Sequence, residues 1–296
     1  DDAEESLEDL MWGLEQRANF LDRQNAANQI GPLMNRYRDR FAGTEYEPNF
    51  QFLSMLGLRG VAQYDEAERG LRALLNDISS DHSVRAKAAW LLGTIVLNDG
   101  DAQRPEEAIS IFRNVVSQRS DRNHVAASLL GMAEASAMMQ RFDDSLGYFS
   151  ELVDELRRPR DIERVTRKSL LAALGAVADL AHANNEVRHT IEFLKLAEGL
   201  VDPDDDNTMA QVLSRLGQMQ AIRARSYHAS HAVAVDVGEK NPSVETDPSD
   251  SRQWDSANSR RLFDEAAETY VKVSWLSGSK WLNFLWHLWP VLLVVG

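Results

Sequence analysis

The chain has 296 residues, 44% of them hydrophobic and 26% charged, the balance of a soluble globular protein with ample apolar surface to bury. Its formal net charge of −14 and its pI near 5.0 repel nucleic acid and anionic lipid at long range. With no cysteine, it has no disulfide, no thiolate zinc site and no cysteine nucleophile.

The first nine residues carry six carboxylates and no base, and Leu7, Leu10, Met11 and Leu14 follow at helical spacing. They predict an amphipathic helix whose acidic first turn suits the positive end of its dipole. A second helix is expected from about Ile30 to Phe41, with Leu33, Met34 and Tyr37 continuing an apolar stripe. The sequence begins at Asp1 without a methionine or an apolar leader, which reads as a mature form or a fragment.

From Pro48 to Leu200 helix alternates with short turn. Pro105 before Glu106 and Glu107 is a helix start with proline in the first turn, and Asp81 and Asp121 stand where N-caps are needed. No run alternates apolar and polar residues long enough to suggest a sheet.

Within this stretch a pattern recurs. Leu-Gly pairs stand at Leu56-Gly57, Leu92-Gly93, Leu130-Gly131, Leu174-Gly175 and Leu216-Gly217, with the glycines 36, 38, 44 and 42 residues apart. Each is followed by a small residue and, four positions on, a large apolar one: Ala67 with Leu71, Ala108 with Phe112, Ser145 with Phe149 and Thr190 with Leu194. Ala266 with Tyr270 stands farther downstream. Such residues let two helices approach closely while the leucine and the aromatic fill the space beside them. The pattern resembles the tetratricopeptide repeat, a helical hairpin of roughly 34 residues that must stack on its neighbours to bury its apolar face.

That resemblance implies an all-α fold, a right-handed superhelical solenoid of about five hairpins. Residues 1–43 would form an N-terminal helical cap, 44–228 the repeats, and 257–275 the second helix of the last repeat. From Ala232 to Ser256 the pattern lapses into six acids, two bases and two prolines, so 229–256 is expected to be an acidic disordered insertion. In the family, first helices line a concave groove. Carried onto this chain, the groove would hold Lys87, Trp90, Thr94 and Asn98, then Val125, Ser128, Met132 and Ser136. Farther along it would hold Ser169, Ala172 and Asp179, and then Gln211, Ser214 and Gln218. The positions that clamp a C-terminal carboxylate in chaperone-binding members are Ser54, Leu58, Ser128 and Met132 here, so that activity is not implied. An extended peptide or a partner helix suits the groove better. Trp90 has a second reading, as core between neighbouring repeats.

Chemistry is sparse. Seven histidines are scattered. His228 and His231 share a helix face, but a metal would need a third ligand such as Asp236, and two solvated histidines are the plainer reading. Neither a phosphate loop nor a nucleophile elbow is present, and the acidic pairs recur at helix starts, so no enzyme, cofactor or metal is expected. Arg157, Arg158, Arg160, Arg164, Arg167 and Lys168 fall within twelve residues. They form either a docking patch for an acidic segment or a solvated turn and helix face beside Asp161 and Glu163.

The sixteen residues Trp281 to Gly296 carry no charged side chain and three of the seven tryptophans. The tail 276–296 reads as a membrane contact through 281–296, as an apolar flap, or as a sequence foreign to the domain. It is shorter than the roughly 20 residues a spanning helix needs. The function expected is a scaffold for a protein or peptide partner, with no nucleic acid. The alternatives are a membrane-associated assembly factor and a regulatory fragment of a larger protein. The compartment stays open.

Overall fold

Helices form where the apolar stripes are bracketed by a cap at one end and a tight turn at the other. The computed structural model describes residues 6–77, 80–99, 103–119, 121–157, 162–236 and 248–276. It is all-α: among these residues thirteen α-helices follow one another and no strand occurs. Two compact units divide the chain, Asp1–Thr166 and Arg167–Gly296.

In the first unit, α1 (Leu7–Arg23) is capped by Ser6, whose hydroxyl accepts from the Asp9 amide at 3.0 Å. The expected second helix is broken into α2 (Ile30–Asn35) and α3 (Arg38–Phe41). The break has a packing reason, because it brings Phe41 onto Phe50 with ring centroids 5.2 Å apart. Then come α4 (Glu47–Gly60), α5 (Tyr64–Asn76), α6 (His82–Thr94), α7 (Pro105–Gln118), α8 (Arg122–Met138) and α9 (Phe142–Arg157). Asp81 and Asp121 cap α6 and α8 through the amides of Ser83 and Asn123, and Pro105 opens α7. A π-helical turn, Ile95–Asp99, extends α6. From α4 to α9 each helix packs on the next, and α6 also packs on both α4 and α8.

One turn is used again and again. Asn25, Ala62, Gln140 and Asn185 are left-handed, with φ between 55 and 62°. In each case the following amide donates to the carbonyl five residues back: Ala26 to Leu21, Gln63 to Leu58, Arg141 to Ser136, and Glu186 to Ala181. This closes the orphan carbonyls of a helix end in the usual left-handed C-terminal motif, although no glycine stands at any of the four places. The turn after α1 is therefore built like those inside the later hairpins.

The glycines of the Leu-Gly pairs serve different neighbours. A methyl group at Gly93 on α6 or at Gly131 on α8 would overlap the Phe112 ring, which projects from α7 between them. At Gly57 the neighbour is backbone instead, since a Cβ there would lie 2.8 Å from the Gly31 amide nitrogen. A ring of ion pairs ties α5 to the start of α7, with Arg72 and Arg104 each meeting both Glu68 and Glu107.

The second unit holds α10 (Arg167–Ala183), α11 (Val187–Glu198), α12 (Asp206–Asp236) and α13 (Pro248–Leu276), each packed on the next. Leu174, Phe193, Leu194, Leu216 and Phe263 are among its buried residues. Thr269 donates to Gln220 at 2.8 Å inside it, and Tyr270 lies against Gly217. Helix enters both ends of the 229–256 segment expected to be disordered. On one side, the alanine- and valine-rich run to Asp236 sustains α12; on the other, Pro248 supplies a helix-starting residue for α13. Residues 237–247 lie outside the described residues. So do 277–296, where the apolar tail falls, and Arg158 and Arg160 of the basic cluster.

Candidate functional site

The apolar stripe of α1, comprising Leu10, Met11, Leu14, Ala18 and Leu21, is buried and joins the core of the first unit with α4 and α6. Along its flank, Glu15, Asn19 and Asp22 recur at i, i+4 and i+7, a spacing that puts them on one side of the helix. Glu15 pairs with Lys87 of α6. Asn19 accepts from the Arg164 guanidinium at 3.2 Å, and Asp22 lies 3.8 Å from both Arg164 and Arg59. Arg23 pairs with Glu163.

One of the cations that receive α1, Arg164, is held from below. The Arg164 guanidinium sits over the Trp90 ring, 4.2 Å from its centroid, and the Asn123 side chain accepts from the amides of Glu163 and Arg164 at 2.7 and 3.4 Å. The Trp90 ring meets His124 edge-on at 5.3 Å, and the His124 Nδ1 bonds to Asp121. A cavity of about 430 Å³ remains between α1 and the starts of α6 and α8, lined among others by Gln16, Asn19, Ser83 and His124.

His124 is buried, and among the described residues no group reaches its Nε2 within hydrogen-bonding distance. Burial pushes its pKa below the ordinary 6.5; Asp121 works against that shift, while Arg164 and Lys87 reinforce it. Between the lowered value and 6.5 the unfolded chain binds a proton that the folded chain does not, so stability falls as pH drops through that window. Asp121, held below its ordinary 3.8 chiefly by the bond to His124, loses its contribution only at lower pH. Glu134, raised by burial, acts in the opposite sense, regaining stability as pH falls. Urea unfolding of wild type is therefore expected to lose more midpoint between pH 7 and pH 5 than unfolding of His124→Phe. Equal losses would remove His124 as the cause.

The residues assigned to the groove by resemblance divide between the units. In the first, Trp90, Val125, Ser128, Met132 and Ser136 are buried. Lys87 is half-buried against Glu15, Thr94 donates to the Trp90 carbonyl at 3.0 Å, and Asn98 is exposed on the π-helical turn. In the second unit Ser169, Ala172 and Asp179 on α10, and Gln211, Ser214 and Gln218 on α12, are all exposed. Arg215 of α12 pairs with Asp179 and links the two helices.

The basic cluster is split as well. Arg164 turns inward onto Trp90, whereas Arg157 is exposed beside Asp154. Arg167 and Lys168 belong to the second unit and are exposed, with Arg167 3.9 Å from Asp202. Sequence reasoning passed over Glu15, Asn19, Asp22, Asn123 and His124. For the three on α1 the polar stripe beside its apolar stripe was the one available signal, and Asn123 and His124 of α8 had none.

Among the described residues no group of metal-binding side chains occurs, and no helix is long and apolar enough to cross a membrane. No protein-family model, curated protein or solved structure matches the chain, so any functional assignment rests on the geometry above.

Proposed function

We propose that the chain is a non-catalytic scaffold, a solenoid of tetratricopeptide-like hairpins wound as a right-handed superhelix. It holds a peptide segment or a partner subunit on the face made by its first helices. The observation that carries this reading is the exposed polar row on α10 and α12, with Ser169 and Asp179 on one helix and Gln211, Ser214 and Gln218 on the other. Small and amide side chains of this kind can hydrogen-bond an extended backbone at low desolvation cost. Packing of α6 on both α4 and α8 supports the same reading, because neighbouring first helices are in contact in such an array.

The test is affinity capture from the native host with the full chain and with a Ser214→Arg, Gln218→Arg variant, both verified as folded by circular dichroism. A protein retained by wild type and lost by the variant is the expected result. Identical profiles would show that this face is not the working surface.

A further inference from the structure

We propose that the outer face of α1 pairs two copies of this chain, antiparallel and related by a twofold axis at Gln16. The inference goes beyond the scaffold reading, which uses α10 and α12 instead.

The first observation is exposure. While α1 buries Leu10, Met11, Leu14, Ala18 and Leu21, its Asp9, Trp12, Gln16, Phe20 and Arg23 are all exposed. At about 3.6 residues per turn these five fall within about 80° of one another, on the side opposite the buried stripe. A single apolar residue on a surface needs no explanation. Here two large aromatic side chains, Trp12 at 66% and Phe20 at 48% exposure, stand on one face of one helix. The Arg17 guanidinium lies over the Phe20 ring, 5.5 Å from its centroid.

Charge indicates what covers this face. The first turn of α1 carries Glu8 and Asp9, and its last turn carries Arg23. A helix that is acidic at its start and basic at its end is complementary to an antiparallel copy of itself, and the two helix dipoles then oppose favourably. With Gln16 against the partner's Gln16, Asp9 meets the partner's Arg23 and Trp12 meets the partner's Phe20. Every contact occurs twice, as a twofold interface requires. Gly13 lies beside Trp12, and a Cβ there would have nothing within 4 Å, so the backbone is open to close approach.

Both charges keep capacity for a second partner. Asp9 accepts from the Ser6 hydroxyl at 2.7 Å through one oxygen. The Arg23 side chain meets Glu163 and the Asn19 carbonyl yet stays 48% exposed. The 17 residues of α1 span about 25 Å, so one such helix pair lies at the small end of specific interfaces. With a charge of −14 on each copy opposing association, a dissociation constant of roughly 10 µM is expected.

The test is analytical ultracentrifugation of the full chain up to about 100 µM, where a monomer–dimer equilibrium is expected. Trp12→Ser with Phe20→Ser, at positions already in solvent, should leave the chain folded by circular dichroism and weaken the dimer at least about tenfold. Asp9→Arg and Arg23→Asp should each weaken it, and mixing the two single variants should restore a heterodimer, because each copy then supplies the charge the other lacks. Orientation is read by cross-linking, since the chain has no cysteine of its own. A short bismaleimide should join Gln16→Cys chains to one another. It should not join Gln24→Cys chains, whose two sites lie about 24 Å apart along an antiparallel pair.

A wild-type chain that stays monomeric would leave the face to a different partner and would overturn the proposal. Association that persists in Trp12→Ser, Phe20→Ser comes from elsewhere, the apolar tail 281–296 included, and would do the same. So would cross-linking through Gln24→Cys in place of Gln16→Cys, which would make the pairing parallel.

Discussion

Phe112→Ala is expected to destabilise the first unit by about 3–5 kcal/mol, a large share of the roughly 5–15 kcal/mol that holds a domain together. Phe112 is 1% exposed, and its ring is enclosed by Gly93 of α6 and Gly131 of α8. The two glycines make the argument sharper than a simple cavity count. Alanine is preferred to glycine inside a helix by about 1 kcal/mol, so Gly131→Ala would ordinarily stabilise. Here its methyl group would overlap a packed ring that cannot swing away, and overpacking of this kind costs about 1–3 kcal/mol. Gly131→Ala alone is therefore expected to lower stability. In a Phe112→Ala background, with the ring gone, the same substitution is expected to raise it. Urea unfolding followed by circular dichroism measures both, and hydrogen exchange of the α7 and α8 amides assigns the change to this unit. If Gly131→Ala has the same sign in both backgrounds, the ring is not what the glycine accommodates.

That contact also marks how far the sequence could be read. The all-α fold, the caps at Asp81 and Asp121 and the start at Pro105 were legible, because each depends on local chemistry within a turn of helix. The Leu-Gly pairs were legible as a pattern, but their neighbours were not. Phe112 of α7 is shared by the glycines of α6 and α8 on either side of it, Gly57 admits backbone rather than a side chain, and only tertiary packing decides between such cases. Two of the four left-handed turns were hidden for a different reason: Ala62 and Gln140 occupy positions where glycine or asparagine would have signalled the geometry. The polar flank of α1 stayed hidden because its partners lie far along the chain, 72 residues from Glu15 to Lys87 and 145 from Asn19 to Arg164. Arg164 was visible only as part of a basic run, which gave no sign that it would turn away from its neighbours to stack on Trp90.

Ser128→Arg is expected to unfold the first unit rather than block a binding face. By resemblance, Ser128 belongs to a row of groove residues, as Gln218 does. Ser128 is 0% exposed on α8, and its hydroxyl has no hydrogen-bond partner among the described residues; Gln218 is exposed on α12. An arginine at Ser128 would have to place a long side chain and an unpaired charge inside a packed core, and removing that charge from water costs several kcal/mol even after relaxation. Added to the overpacking, this is comparable with the whole stability of a domain. Gln218→Arg adds its charge in solvent and should change stability by no more than about 0.5 kcal/mol. Ser128→Ala supplies the control. It deletes a buried hydroxyl that has nothing to bond, so it is expected to be neutral or stabilising, which separates loss of the serine from intrusion of the arginine. The measurement is urea unfolding of all three variants at pH 7, with exchange of the α8 amides followed in each. A Ser128→Arg chain whose α8 amides remain as protected as in wild type would mean that this side of α8 is open to solvent, and the first unit would then offer a second free face beside the one on α10 and α12.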